Sequence, residues 1–192
     1  YLWGKLMQLN ELRDYIASHL QTALFKDYCP NGLQVEGRAE VRRIATGVTA
    51  SQHLLDAAVT WGADAILVHH GYFWRSEDAA ITGIKKRRIA QLLRNDVSLL
   101  AYHLPLDAHP ELGNNARLGK LLGLAEQGRF GEQGIACIGE LVTPQTLAQF
   151  AAQVGQGLRR APQVIGNGAK NIRKVAWCSG GAQGYFEAAI AQ

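Results

Sequence analysis

Two apolar runs of strand length, Ala65 to Val68 and Leu99 to Tyr102, each stop at histidine, and they organise the reading of the chain. Continuous apolar runs of this length mark parallel strands covered on both faces. Around them the periodicity is helical. Leu9, Leu12, Ile16 and Leu20 recur at helix spacing and predict a first helix, which Cys29-Pro30-Asn31-Gly32 follows as a chain break. Val41 to Val48 reads as a strand. Ser51 is placed to cap a helix carrying Leu54, Leu55, Ala58 and Trp61, with Gly62 as its stop. The strand Ala65 to His69 comes at once, giving a βαβ unit with a parallel strand pair. A further helix is expected to turn Ile84, Ile89, Leu92 and Leu93 inward and Lys85-Lys86-Arg87-Arg88 outward, ending at Asn95-Asp96 before the strand Val97 to His103. Past Asp107 a polar loop leads to Asn115, read as the cap of a helix through Leu118, Leu121 and Leu122.

Gly128, Gly131 and Gly134 predict a hinge. Beyond it, Ile135 to Leu141 reads as a strand, and Thr143-Pro144 as the start of a helix with Leu147, Phe150, Ala151, Val154 and Leu158 on its buried stripe. Val164-Ile165 and Ile172 to Cys178 read as short strands, followed by a last helix to Gln192. Arg42 to Thr60 aligns without gaps on Arg173 to Ala191, strand on strand and helix on helix, which indicates a duplicated βαβ unit. The expected fold class is therefore α/β, with two similar α/β lobes and largely parallel central sheets. Residues 1–6 are taken as a leader, 7–127 as the first lobe with a metal-site rim, and 128–192 as the start of the second lobe. In the second copy no strand follows the helix, so that lobe is expected to be incomplete in this chain.

Composition narrows the class. The 192 residues carry a formal charge of +4, too mild to claim a nucleic-acid partner, and Lys85 to Arg88 reads better as a solvated helix face. No apolar run approaches the roughly 20 residues that span a bilayer, and no signal-peptide pattern opens the chain. Cys29, Cys137 and Cys178 are odd in number and lack CxxC spacing, so they read as reduced thiols of a cytoplasmic protein.

The candidate chemistry lies at the two strand ends. In open α/β sheets ligands bind beyond the carboxyl ends of the strands. Adjacent strands would deliver His69, His70, His103 and Asp107 to one rim. A lone histidine there is usually a hydrogen-bonded edge residue, but two clusters at matching ends are what a first-row divalent metal takes. The nitrogen and oxygen set admits zinc, manganese, iron or nickel. Tyr72-Phe73-Trp74 beside it is either a satellite apolar cluster or a face for stacking a flat ring. His109 and Glu111 are candidates for orienting ligands, with plain loop structure preferred for Glu111.

Three stretches carry a family resemblance: Asp27-Tyr28-Cys29-Pro30-Asn31-Gly32-Leu33-Gln34-Val35-Glu36-Gly37, Val68-His69-His70-Gly71, and His103-Leu104-Pro105-Leu106-Asp107-Ala108-His109-Pro110 with Gly113-Asn114-Asn115. From about Met7 to Gln192 the chain resembles the Nif-three-like proteins, also called GTP cyclohydrolase 1 type 2 homologues (the YbgI group in bacteria). The resemblance implies two similar α/β lobes, a hexameric ring and a dinuclear metal centre facing its interior, with two divalent ions per complete chain. It carries His69, His70 and Asp107 over as metal ligands and places His103 at the site, as a ligand or a proton-transfer group. The family's Gly-His-x-x-x-Glu type segment has no counterpart in this sequence. The function expected is a metal-dependent hydrolase acting on a nucleotide or related phosphorylated heterocycle, with His103 as general acid or base. The alternative is a non-catalytic metal-binding scaffold or regulatory ring protein.

Overall fold

The computed structural model describes residues 6–192, so residues 1–5 of the expected leader lie outside the described residues. The chain divides into two compact units, 1–106 and 107–192.

In the first unit, Met7–Gln8 (β1) leads into the helix Leu9–His19 (α1) and pairs antiparallel with Glu40–Val41 (β3), which follows Gly32–Val35 (β2). Ile44–Thr49 (β4), Gln52–Trp61 (α2) and Ala65–His70 (β5) form the expected βαβ unit, with β4 and β5 parallel. The Ser51 hydroxyl accepts the Leu54 N–H at 3.2 Å, and Gly62 closes α2 in the left-handed conformation at φ 75°. Gly83–Arg94 (α3) and Ser98–Ala101 (β6) follow, β6 parallel to β5. The sheet order is β2-β6-β5-β4, with β2 the antiparallel edge strand.

Alternation along β5 and β6 explains their unbroken apolar runs. Ile66, Val68, Leu99 and Ala101 pack with Leu55, Ala58, Ile89 and Leu92 of α2 and α3. Ala65, Leu67, Leu100 and Tyr102 pack with Leu9, Leu12 and Ile16 of α1. Both faces are covered, so neither set can be polar. On α3 only Ile89 and Leu92 are buried. Ile84 and Leu93, expected inward, are more than half exposed, because one stripe suffices to cover the sheet.

The division between units falls in the short helix Leu104–Ala108 (α4), which replaces the end of the apolar run that was read as leading out of the strand to Asp107. The second unit continues with Asn114–Leu121 (α5), Leu124–Phe130 (β7), Ala136–Thr146 (β8), Leu147–Leu158 (α6), Asn171–Trp177 (β9) and Phe186–Ile190 (α7). Its sheet, β7-β8-β9, is antiparallel throughout, whereas largely parallel sheets were expected. The link 131–135 is too short for a crossover and can only close a hairpin. The glycines read as a hinge at 128 serve that hairpin. Gly128 lies within β7 just past an irregularity in its pairing, and Gly131 and Gly134 take positive φ in the turn. The contacts accordingly thin at 106/107, not at the 127/128 boundary expected from composition.

Thr143-Pro144 does not start a helix either. The strand runs through it, and Thr146 caps α6 instead, in a reciprocal capping box with Gln149. Val164 and Ile165 are exposed and belong to no strand. Asn115 caps nothing. It is buried inside α5, donating to the Ile135 carbonyl at 2.9 Å and accepting the Ser179 N–H at 2.6 Å. The aligned copies agree in element order, β4–α2 with β9–α7, although β9 is followed by a short helical turn before α7 and lies antiparallel to its neighbour. The core of this unit is Leu122, Leu124, Cys137, Leu141 and Trp177, with Phe150 and Val154 of α6 against it. Among the described residues no helix is long and apolar enough to cross a membrane.

Candidate metal centre

Strands β5 and β6 end side by side, and their register carries the two histidine clusters to the same rim. Val68 pairs with Ala101, so His69-His70 and His103 both follow immediately beyond that level. The ligand-capable atoms of His69, His70 and His103 all lie within 4.8 Å of one another, and the three side chains are half-buried. Ring centroids are 4.4 Å apart for His69 and His70, 5.0 Å for His69 and His103, and 5.6 Å for His70 and His103.

Each imidazole is oriented through Nδ1. His69 Nδ1 meets the Tyr102 carbonyl at 3.0 Å. A carbonyl only accepts, so this nitrogen carries the proton and, in the neutral ring, the lone pair falls on Nε2. His70 Nδ1 lies 3.4 Å from the Thr49 hydroxyl. His103 Nδ1 meets Asp27 Oδ1 at 2.8 Å. Burial raises the Asp27 pKa, but hydrogen bonds from His103, Asn31 and the backbone of Leu104 and Tyr28 outweigh it and hold the carboxyl down to about 2. Asp27 is thus ionised, and His103 donates to it. Oxygen partners on the far nitrogen are the usual means by which metal-binding histidines are held in one tautomer.

Two loops interlock around this cluster. Asp27 Oδ2 accepts the Leu104 N–H and the Asn31 amide, each at 2.8 Å, while Asn31 Oδ1 accepts the His103 N–H at 2.7 Å. The Arg75 N–H donates to the Tyr28 carbonyl at 2.7 Å, its guanidinium donates to the Asp27 carbonyl at 2.9 Å, and Gln34 Oε1 accepts the Tyr72 N–H at 2.7 Å. Two members of the aromatic run join the apolar core. Tyr72 is buried and its hydroxyl donates to the Ala50 carbonyl, and Phe73 packs on the core. Trp74 stands edge-on to His103 at 4.9 Å.

A second group, Asp27, Cys29 and His103, also brings three ligand-capable atoms within 4.8 Å. It suits a metal less well. Burial, and then the Asp27 charge, push the Cys29 thiol up to about 12, so the thiolate a metal takes is costly there. The three imidazoles are the better fit.

Asp107 falls in the second unit, where it is buried and Oδ1 accepts the Asn114 amide at 2.7 Å and the Ser179 hydroxyl at 3.3 Å. His109 staples its own loop, accepting the N–H groups of Glu111 and Leu112 at Nδ1. The reading of the sequence missed Asp27, Asn31, Gln34 and Arg75. Asp27, Asn31 and Gln34 lie in a stretch that carries the family resemblance but were given no role at the site, and nothing in the local pattern marks Asp27 as the partner of a residue 76 positions away.

The Duf34/NIF3 (NGG1p interacting factor 3) family model matches residues 7–192. The chain belongs to the Duf34/NIF3 family. The relatives of this Duf34/NIF3 chain include proteins named GTP cyclohydrolase 1 type 2 homolog. That of Neisseria meningitidis serogroup B is 58% identical over 171 residues, covering 89% of this chain and 69% of the relative. That of Pseudomonas aeruginosa is 52% identical over 186 residues, covering 95% and 73%. Among solved structures, protein ybgI, described as of unknown function, superposes with a TM-score of 0.92 at 47% identity over 96% of this chain and 74% of that one. A protein of Thermus thermophilus gives 0.83 at 33% identity over 95% and 74%. These likenesses accord with the two similar α/β lobes of the Duf34/NIF3 chain.

Proposed function

We propose that this chain is a metal-dependent hydrolase with a dinuclear centre built on His69, His70 and Asp107, acting on a nucleotide or related phosphorylated heterocycle. The observation that carries the reading is the convergence of three half-buried imidazoles whose Nδ1 atoms all face oxygen partners. Divalent ions bound there would lower the pKa of water and polarise the bond under attack. Asp107 enters as a ligand on the family pattern. Zinc, manganese, iron and nickel all suit a nitrogen and oxygen set.

The protein's own contribution begins with orientation. Asp27 fixes the ring of His103 and keeps the proton on Nδ1, so Nε2 is the nitrogen that can take up or release a proton at the substrate. Trp74, in edge contact with His103 and tilted to His70 at 5.9 Å, forms an apolar wall that excludes water and suits a flat base. The name shared by the relatives points to opening of the guanine ring of GTP, and the hexameric ring implied by the family resemblance belongs to the same proposal.

The test is bound divalent metal per chain by elemental analysis, together with turnover of GTP and a panel of nucleotides. About one ion or more per chain is expected, falling at least tenfold in His70→Ala and in Asp107→Asn, with turnover lost in parallel and the circular dichroism spectrum unchanged. Full metal in both variants would defeat the ligand assignment. Metal bound without turnover of any nucleotide would leave the scaffold reading in its place.

A further inference from the structure

The Lys85 to Arg88 run, read from sequence as a solvated helix face, is not uniform. Lys85 is engaged: its ammonium bonds the Asp78 carbonyl at 2.8 Å, lies 3.4 Å from Glu77 and sits over the Phe73 ring. The next three residues behave differently. Lys86, Arg87 and Arg88, with Arg94 further along α3, line a groove of about 970 Å³ whose lining also includes Gln52 of α2, Gln91 of α3 and Asn95 just past its end. Among the described residues no carboxylate lines it, and the acidic group bonded to its walls, Asp56, is held by the amides of Gln52 and Gln91. Among the described residues the side chains of Lys86, Arg87 and Arg94 make no ion pair. Arg88 Nε is buried without a hydrogen-bond partner.

The Arg88 guanidinium faces the buried Tyr72 hydroxyl, whereas Arg87 and Arg94 are exposed on α3, with no acidic partner among the described residues. An anion in the groove supplies the counter-charge these two lack. Guanidinium forks match the oxygens of phosphate two at a time, and the flanking amides add neutral donors. Arg87 and Arg94 lie two helical turns apart, about 10 Å along the axis, which is a wider span than one phosphate covers. We propose that the α2–α3 groove is a binding site for a small polyphosphate-bearing anion, distinct from the histidine cluster, with which it shares no residue.

Calorimetric titration with inorganic tripolyphosphate, in buffer without added divalent ions, tests this on three forms: the chain itself, Arg87→Gln/Arg94→Gln and His70→Ala. Saturable binding is expected, weakened about tenfold or more by the double substitution, which removes two charge-assisted contacts at exposed positions. The unfolding temperature of the double variant should not fall, because no native partner is lost. His70→Ala should bind as the unaltered chain does, so the result stands or falls apart from the hydrolase reading. Absence of saturable binding, indifference to the double substitution, or loss of binding in His70→Ala would each overturn the proposal. So would tighter binding of a random-sequence DNA duplex through the same arginines, which would make the groove a nucleic-acid surface.

Discussion

Asp27→Ala is expected to lower folding stability by about 3 kcal/mol and to weaken divalent-metal binding about 10- to 100-fold. The carboxylate is almost wholly buried and serves four donors: the His103 ring, the Asn31 amide, and the N–H groups of Leu104 and Tyr28. Truncation leaves donors without an acceptor beneath the surface, and each such loss is dearer than the bond itself was worth. The two effects have separate origins. Stability falls because two backbone N–H groups and an amide are orphaned, whereas metal affinity at the proposed centre falls because His103, in ring contact with His69 and His70, is freed to rotate and no longer holds those ligands in place. Asp27→Asn separates them. It keeps an acceptor for part of the network, but an amide cannot match the charge that holds the proton on His103 Nδ1. Denaturant titration and metal competition with a chromogenic chelator, run on both variants, read the two quantities independently. If metal affinity is unchanged in both, Asp27 serves only the fold.

The second large effect lies at the opposite end of the same sheet. Asp64→Ala is expected to cost about 3 kcal/mol and to flatten the acid limb of the stability curve. Asp64 Oδ2 accepts the N–H groups of Arg42 and Arg43, both at 2.9 Å, and Oδ1 accepts the Arg38 guanidinium at 2.9 Å. Arg38 in turn donates to the carbonyls of Asn95 and Asp96. The carboxylate thereby closes the kink between β3 and β4 and ties it to the turn before β6. Burial raises its pKa, but the backbone donors and the charge of Arg38 prevail and leave it lowered. The folded-state pKa therefore lies below the unfolded value of about 3.9, so this contribution is complete above that value. It is lost as pH falls through the folded-state pKa. Urea unfolding between neutral pH and pH 3 should show a smaller acid loss in Asp64→Ala than in the parent, and parallel curves would refute the assignment.

How much of this was legible in the sequence follows from which interactions are local. The βαβ core was readable because its signals are: Ser51 caps α2 three residues ahead, Gly62 ends it, and the apolar runs of β5 and β6 announce burial on both faces. The histidine rim followed from those runs, since strands of equal level must end together. The second unit was read less well. Whether β8 continues through Thr143-Pro144 or yields to a helix is settled by its pairing with β9, which lies more than 20 residues away, and a Thr-Pro pair serves either outcome. Asn115 shows the same limit. As a turn-forming residue beside a helix start it reads as a cap, yet its partners are Ile135 and Ser179, brought to it only by the tertiary fold. Asp27 was missed for the same reason, because it lies in the loop before β2 and its partner His103 lies just beyond β6.

The register of β5 and β6 has one more consequence. Their histidines are neighbours only while both central strands are hydrogen-bonded at that level, so the unfolded chain holds no comparable cluster. Anything that bridges these rings acts as a removable cross-link between the two innermost strands, and its binding free energy adds to that of the fold. At a concentration a hundred times its dissociation constant the gain is about 2.7 kcal/mol. Thermal melting thus doubles as a binding assay for this family, one that needs no knowledge of the substrate.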